Sequence, residues 1–369
     1  MNIRDVYKSI SDLNTARDSF YCLVLDGPCR GGTGLLNGQE WRTAGGDFLP
    51  RHTEELMRQV SAHSGMAQHE SGILCIDGTN VYMQRLTGRQ KIVLCGAGTV
   101  GLAVIRFAKI LGYEVTALED RSPFAQKAEE AGADHVICGD YTQGLSQVHG
   151  DEDTWFVIMT MGHLSDGVCL KEISRKEHAY IGMMGSRRRV RLMLDYIGKQ
   201  GADPEILRHV HAPIGLSIHA RTPEEIALSV LAEITDIRNS RNAAEPFPHE
   251  ILDVMDGLPD SEPAILATVI QKEGSAPQDP GARMLVRTDG GLTCTVGGGY
   301  LEAVVARRAL EILGSAAAPS GAPDAAGAGN SKERRGDGFE IMDVSLESDD
   351  VVKAPMICGG NVLVALQRI

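Results

Sequence analysis

Between residues 90 and 245 the chain alternates short apolar runs with amphipathic stretches, and this pattern constrains the fold more than any other feature of the sequence. KIVLC leads into TVGLAVIRFAKILG, EVTALED into SPFAQKAEEAG, and DHVIC, DTWFVIMT and AYIGMM follow, separated by LSDGVCLKEISR and closed by RRRVRLMLDYIGKQG. Apolar runs of strand length alternating with helical periodicity predict a parallel sheet covered by helices on both faces. RTPEEIALSVLAEITDIRNS ends the region as a helix. Thr222 caps it, Pro223 takes its first position, and Glu225 stands three residues after the cap.

The flanks read differently. Residues 1–88 open with a polar helix candidate, followed by YCLVL and GILCI among Asp-Gly and Asn-Gly steps, the mark of a small β-rich region. Residues 246–262 read as a linker. From 263 onward AILATVI, ARMLVRT and LTCTV are strand candidates, YLEAVVARRALEIL is a helix, and FEIMDVSL and NVLVALQRI are closing strands. The stretch from 315 to 337 is almost wholly small or polar and reads as a mobile loop.

Composition removes some classes of function. The chain has 36 basic and 49 acidic residues, a net charge of −13, and only 5% aromatics. Gripping nucleic acid needs clustered positive charge and stacking rings, so nucleic acid is not an expected partner. No apolar run reaches 18 residues and the start has no signal-peptide pattern, so neither a membrane partner nor secretion is expected. The eight cysteines form no C-x-x-C pair, and those in GILCI and IVLCG read as reduced core thiols, which places the chain in the cytoplasm.

Glycine is in excess, 42 of 369 residues, and many glycines fall where strands end. Gly96-Ala97-Gly98-Thr99-Val100-Gly101 follows an apolar strand and opens a helix, with Glu119, Asp120 and Arg121 at the end of the next strand. That spacing is the dinucleotide-binding fingerprint: a turn, a close backbone approach to pyrophosphate, a helix packed on the sheet, and an acid for a ribose. The fold class expected is therefore α/β, with a Rossmann-like parallel-sheet domain over 89–245, a smaller α+β domain over 263–369, and a β-rich N-terminal region.

Further strand ends carry Gly162-His163 and Gly185-Ser186-Arg187-Arg188-Arg189, where backbone amides and guanidinium groups could receive an anion. His163 is a candidate proton donor. Three arginines in a first turn oppose the helix dipole, and a bound anion would relieve that cost. Ser275 in GSAPQDPG, Gly297-Gly298-Gly299 with Glu302, and Cys358 in MICGG are the corresponding candidates of the C-terminal domain. A glycine-flanked thiol such as Cys358 is a candidate for catalysis or for a metal, and no other metal ligand is signalled.

Together these segments resemble the xanthine dehydrogenase accessory protein family, of the XdhC/CoxI type. GAGTVG, LEDR, TMGHLSD, IGMMGSRRR, HAPIGL and ARTPEEIALSVLAEI match its Rossmann half, and GSAPQDPGARMLV, TVGGGYLEA and MICGG its other half. Here the second half follows the first, whereas the usual family order is the reverse. Thr99 stands where the family often has His, His219 where Gly is usual, and Gln278 where Arg or Lys is usual. The resemblance implies a maturation factor that binds molybdenum cofactor, as molybdopterin or its nucleotide form, helps its sulfuration and delivers it to a molybdenum hydroxylase. It implies that client and a cysteine desulfurase as partners. A homodimer is expected on general grounds. Two other readings stand beside it: an NAD(P)-dependent oxidoreductase, and a module that senses a nucleotide at the glycine loop.

Overall fold

The structure is a computed structural model. It describes residues 1–10, 13, 19–62, 71–240, 247–275, 278–314, 338–346 and 360–369. The expected loop at 315–337 and Cys358 lie outside the described residues. The chain divides into two compact units, one formed by residues 1–86 together with 244–369 and the other by 87–243.

The chain opens with helix α1 (Ile3–Lys8) and strands β1 (Ser19–Val24), β2 (Thr33–Asn37) and β3 (Glu40–Ala44). A short turn of helix, α2 (Phe48–Arg51), precedes α3 (Thr53–Ala62), and β4 (Ser71–Ile76) and β5 (Thr79–Leu86) follow. The five strands form an antiparallel sheet of order β3-β2-β1-β5-β4. Phe20, Cys22 and Val24 of β1 pack with Leu56 of α3, while Tyr21 and Leu23 face the other way into a second core. Cys75 is a correction to the reading of a core thiol. It is exposed, because β4 is an edge strand that buries Leu74 and Ile76 and turns Cys75 outward.

The middle unit begins with β6 (Lys91–Cys95) and α4 (Thr99–Ile110), then β7 (Glu114–Glu119), α5 (Ser122–Glu130), β8 (His135–Cys138), α6 (Tyr141–Ser146), β9 (Thr154–Ile158), α7 (His163–Ile173), β10 (Tyr180–Met183), α8 (Arg187–Lys199), α9 (Pro204–Arg208) and α10 (Pro223–Ser240). Its sheet is parallel throughout, in the order β10-β9-β6-β7-β8. Strand order reverses between β6 and β9, the crevice where open α/β sheets take ligands. Ile92 and Leu94 join α4 and α10 in one core, and Val93 and Cys95 join α6, α7 and α8 in another. Both faces are covered, as the apolar strands require. The cap of α10 is the expected reciprocal one: the Glu225 amide donates to Thr222 Oγ1 at 3.2 Å, and the Thr222 amide to Glu225 Oε2 at 3.1 Å.

The segment read as a linker instead contains helix α11 (His249–Gly257), whose Ile251, Leu252 and Met255 are buried. Then come β11 (Ala264–Gly274), β12 (Arg283–Arg287), β13 (Leu292–Cys294), α12 (Gly299–Leu313), β14 (Phe339–Ser345) and β15 (Gly360–Arg368). These strands form a second antiparallel sheet, in the order β13-β12-β11-β15-β14. Among the described residues no helix is long and apolar enough to cross a membrane.

Candidate functional site

In the middle unit the sequence candidates gather at the carboxyl ends of the strands. Gly96 leaves β6 with φ +108°, and a Cβ there would stand 2.5 Å from the Met159 carbonyl oxygen at the end of β9. A Cβ on Gly101 would stand 2.3 Å from the Gly96 carbonyl oxygen. Both glycines are thus demanded by backbone packing. Gly98 is different. It caps α4 at an ordinary φ of −68°, no side chain caps the helix there, and a Cβ would meet nothing within 4 Å. The first amides of α4, from Thr99 and Val100 onward, therefore open onto free space, where a helix N-terminus favours an anion.

The acidic pair at the end of β7 divides its work. Glu119 is fully buried: it accepts the Ala97 amide at 2.7 Å and Arg121 Nε at 2.7 Å. Burial raises its pKa, but the bonds from Arg121 and Ala97 outweigh this and hold the carboxyl below its ordinary value. Glu119 is thus engaged inside the protein rather than offered to a ligand. Asp120, with 48% of its side chain exposed, is the acid that faces outward. Arg121 lies 3.9 Å over the Phe124 ring, and its Nη1 is 2.5 Å from Met161 Sδ.

At the end of β9, Thr160 Oγ1 donates to Asp166 Oδ1 at 2.6 Å, and Asp166 also pairs with Arg189. Burial lifts the Asp166 carboxyl above its usual range, and Thr160 and Arg189 offset this only in part. Arg189 is therefore committed to a buried partner. Ser186 caps α8 by accepting the Arg189 amide, and Arg187 and Arg188 are exposed on its first turn. Gly185 and Gly162 supply the turns into α8 and α7, and His163 is the first residue of α7, its imidazole lying outside what is described.

Sequence reasoning missed a cavity of about 880 Å³ between α7 and α8, lined by Leu164, Val168, Leu192, Tyr196, Ser186 and Arg188 among others. Leu164 is 85% exposed and Leu192 62%, so this apolar floor is open to solvent. The available signal was the second apolar stripe of α8, Leu192 and Tyr196 at helical spacing, opposite buried Val190 and Ile197. The HAPIGL segment serves the frame. Its His211 amide donates to the Ile181 carbonyl at 2.8 Å, and Glu233 holds it by accepting the Tyr180 hydroxyl at 2.5 Å and the Gly215 amide at 2.9 Å. His219 takes φ +60°, a conformation that suits glycine.

In the other unit, Gly360 pairs with Gly274, and a Cβ on Gly360 would lie 3.2 Å from the Ser275 amide nitrogen. The structure thus brings the end of the MICGG segment against the GSAP loop. The loop before α12 is less open than its glycines suggest. Thr295 Oγ1 accepts the amides of Gly297 at 3.1 Å and Gly298 at 3.0 Å, and donates to Glu302 Oε2 at 2.5 Å. Gly298 and Gly299 take φ of +69° and +57°, so the turn itself needs them. Arg283, in the same motif run, is 1% exposed and structural. Among the described residues no group of three or more His, Cys, Asp or Glu is placed to hold a metal ion.

Two family models match the chain. The XdhC Rossmann domain matches residues 92–234, and the XdhC and CoxI family matches residues 258–319. Among curated proteins the chain is 28% identical over 209 residues to the uncharacterized protein YqeB of Escherichia coli, covering 54% of this chain and 38% of that protein. It is 29% identical over 160 residues to a probable xanthine dehydrogenase component of Bacillus subtilis, covering 43% of this chain and 46% of the relative. It is 30% identical over 116 residues to the molybdenum cofactor insertion chaperone PaoD of Escherichia coli, covering 31% and 29%. The chain thus spans less than half the length of each of these relatives. Among solved structures, a xanthine dehydrogenase from Bacillus halodurans aligns at a TM-score of 0.49 and 22% identity, over 64% of this chain and 66% of that one.

Proposed function

Because the chain belongs to the XdhC and CoxI family, we propose that it is a maturation factor for a molybdenum hydroxylase, which holds molybdenum cofactor and passes it to that client. The name of the PaoD relative supports cofactor insertion as the task. The observation that carries the reading is the uncapped N-terminus of α4 at Gly98, in the same unit as the exposed Arg187 and Arg188. The cofactor carries a phosphate, and in its dinucleotide form a ribose. Backbone amides behind Gly98 and the guanidinium groups of α8 suit the phosphate, and Asp120 suits ribose hydroxyls. The apolar cavity beside Ser186 and Arg188 suits a flat heterocycle attached to that phosphate.

The chain's own contribution is binding and exclusion. The glycine loop orients the anion, the arginines neutralise it, and the apolar floor limits water around the ring. A second reading, a nucleotide such as NAD(P) at the same loop, is favoured by exposed Asp120 at the end of β7. Protein purified without oxygen and examined by native mass spectrometry distinguishes the two. A bound pterin mass supports the cofactor reading, and a nicotinamide dinucleotide mass replaces it with the second.

A further inference from the structure

The two sheets of residues 1–86 and 247–369 share more than a strand count. The second module runs helix, three strands, helix, two strands, and the first runs the same way with its second helix in two pieces, α2 and α3; each sheet has the same order, with its first strand central between the second and the fifth. The registers agree residue by residue. Tyr21 of β1 pairs with Leu35 of β2 and Gln84 of β5, and Leu266 of β11 pairs with Leu285 of β12 and Gln367 of β15. Consecutive glycines of positive φ follow the third strand in both modules, Gly45-Gly46 in the first and Gly297-Gly298-Gly299 in the second.

The apolar pattern repeats as well. Val6, Tyr7 and Ile10 around α1 match Ile251, Leu252 and Met255 of α11, each pair separated by the same 245 positions. All six are buried in one core, which also receives Tyr21, Leu35, Tyr82 and Leu86 from the first sheet and Leu266, Leu285, Ala365 and Ile369 from the second. By register these four pairs are equivalent positions. The polar contacts across the core repeat in the same way. Gln84 of the first module accepts Arg283 Nη2 at 2.6 Å, on the first residue of β12. Gln367 of the second module donates to Thr33 Oγ1 at 2.7 Å, on the first residue of β2.

We infer that residues 1–86 are a second copy of the module formed by residues 247–369, paired with it about a pseudo-two-fold axis, so that one chain supplies the partner a second copy would otherwise provide. A two-fold interface puts the same patch of each partner against the other, and here equivalent positions meet in that way inside one polypeptide. The copies are not equal. Gly298 caps α12, whereas the equivalent helix cap of the first module is Asp47, whose carboxylate pairs with Arg51. A carboxylate at that cap puts negative charge at the helix start and repels an anion. The shared face is filled within one chain, which leaves no such face for a second copy.

Sedimentation equilibrium of the full chain over a hundredfold concentration range tests this. The expected result is the mass of one chain, 39.6 kDa, at every concentration. A stable two-chain mass would overturn it. A protease site inserted in the 241–246 stretch of the full chain gives the second arm. After cleavage the two fragments should stay together as a 1:1 complex, and elution as separate species would also overturn the pairing. Neither arm depends on what the glycine loop of the middle unit binds.

Discussion

The Ala97 amide donates to Glu119 Oε2 at 2.7 Å, tying the glycine loop after β6 to the end of β7. The carboxylate has no solvent exposure and Arg121 is its counter-ion. Removing one partner of a buried pair strands the other, at a cost of about 3 kcal/mol. Glu119→Ala is therefore expected to lower stability by about that amount, and Glu119→Gln, which keeps an acceptor for Ala97, by less. The folded-state pKa is depressed, so the contribution is present above the ordinary carboxylate range and is lost as pH falls through the folded value. Urea unfolding of both variants checks this. An unchanged midpoint with lost ligand binding would return Glu119 to the ligand site.

The three glycines of the loop should respond in opposite ways. Gly98→Val meets no protein atom at its Cβ, so stability should change by less than about 1 kcal/mol while pterin or nucleotide binding is lost. Gly96→Ala must hold φ +108° and displace the Met159 carbonyl, and Gly101→Ala must displace the Gly96 carbonyl. Each should cost about 2 kcal/mol or more. Thermal melts beside binding isotherms separate these outcomes, and a Gly98→Val protein that binds normally would remove the loop from the site.

Most of the middle unit was legible because its strands are buried on both faces, so each appears as an unbroken apolar run such as KIVLC. The side-chain parity at the end of β7 was not. Glu119 and Asp120 are neighbours in sequence, and only packing shows that the first points inward to Ala97 and Arg121. The helix at His249–Gly257 was read as a linker because two prolines and a short apolar stripe hide it, and the core it joins is built from sheets distant in sequence. The likeness of the two flanking modules was hidden for a related reason. Tyr21 stands for Leu266 and Tyr82 for Ala365, so burial and register persist while residue identity does not. An order that reads as swapped is one module on each side of the Rossmann unit.

The arginines of α8 should separate by partner. Arg187 and Arg188 are exposed, so replacing both with Ala should leave the melting temperature within about 2 °C of wild type. Each lost charged hydrogen bond should weaken a phosphate ligand by about tenfold or more. Arg189→Ala instead leaves buried Asp166 without its cation and should destabilise by about 3 kcal/mol. Asp166→Asn in the Arg189→Ala background should recover part of that loss. Equal melting curves for the Arg187/Arg188 and Arg189 variants would contradict the assignment.

Asp153 sits at the opposite end of the sheet, where it accepts Gln90 Nε2 at 2.6 Å and the Gly88 amide at 3.2 Å. Burial pushes its pKa from 3.8 up to about 6, the bonds from Gln90 and Gly88 notwithstanding. The folded state thus holds the proton more tightly than the unfolded one. Between about pH 4 and pH 6 the folded chain binds more protons, so stability from this group declines as pH rises through that window. The full shift corresponds to an upper bound of about 3 kcal/mol. Asp153→Asn has no proton to lose, so its unfolding free energy should be flatter than wild type across that window, with the difference closing below pH 4. Parallel slopes for the two proteins between pH 4 and 6 would show that Asp153 is ionised in the folded state throughout.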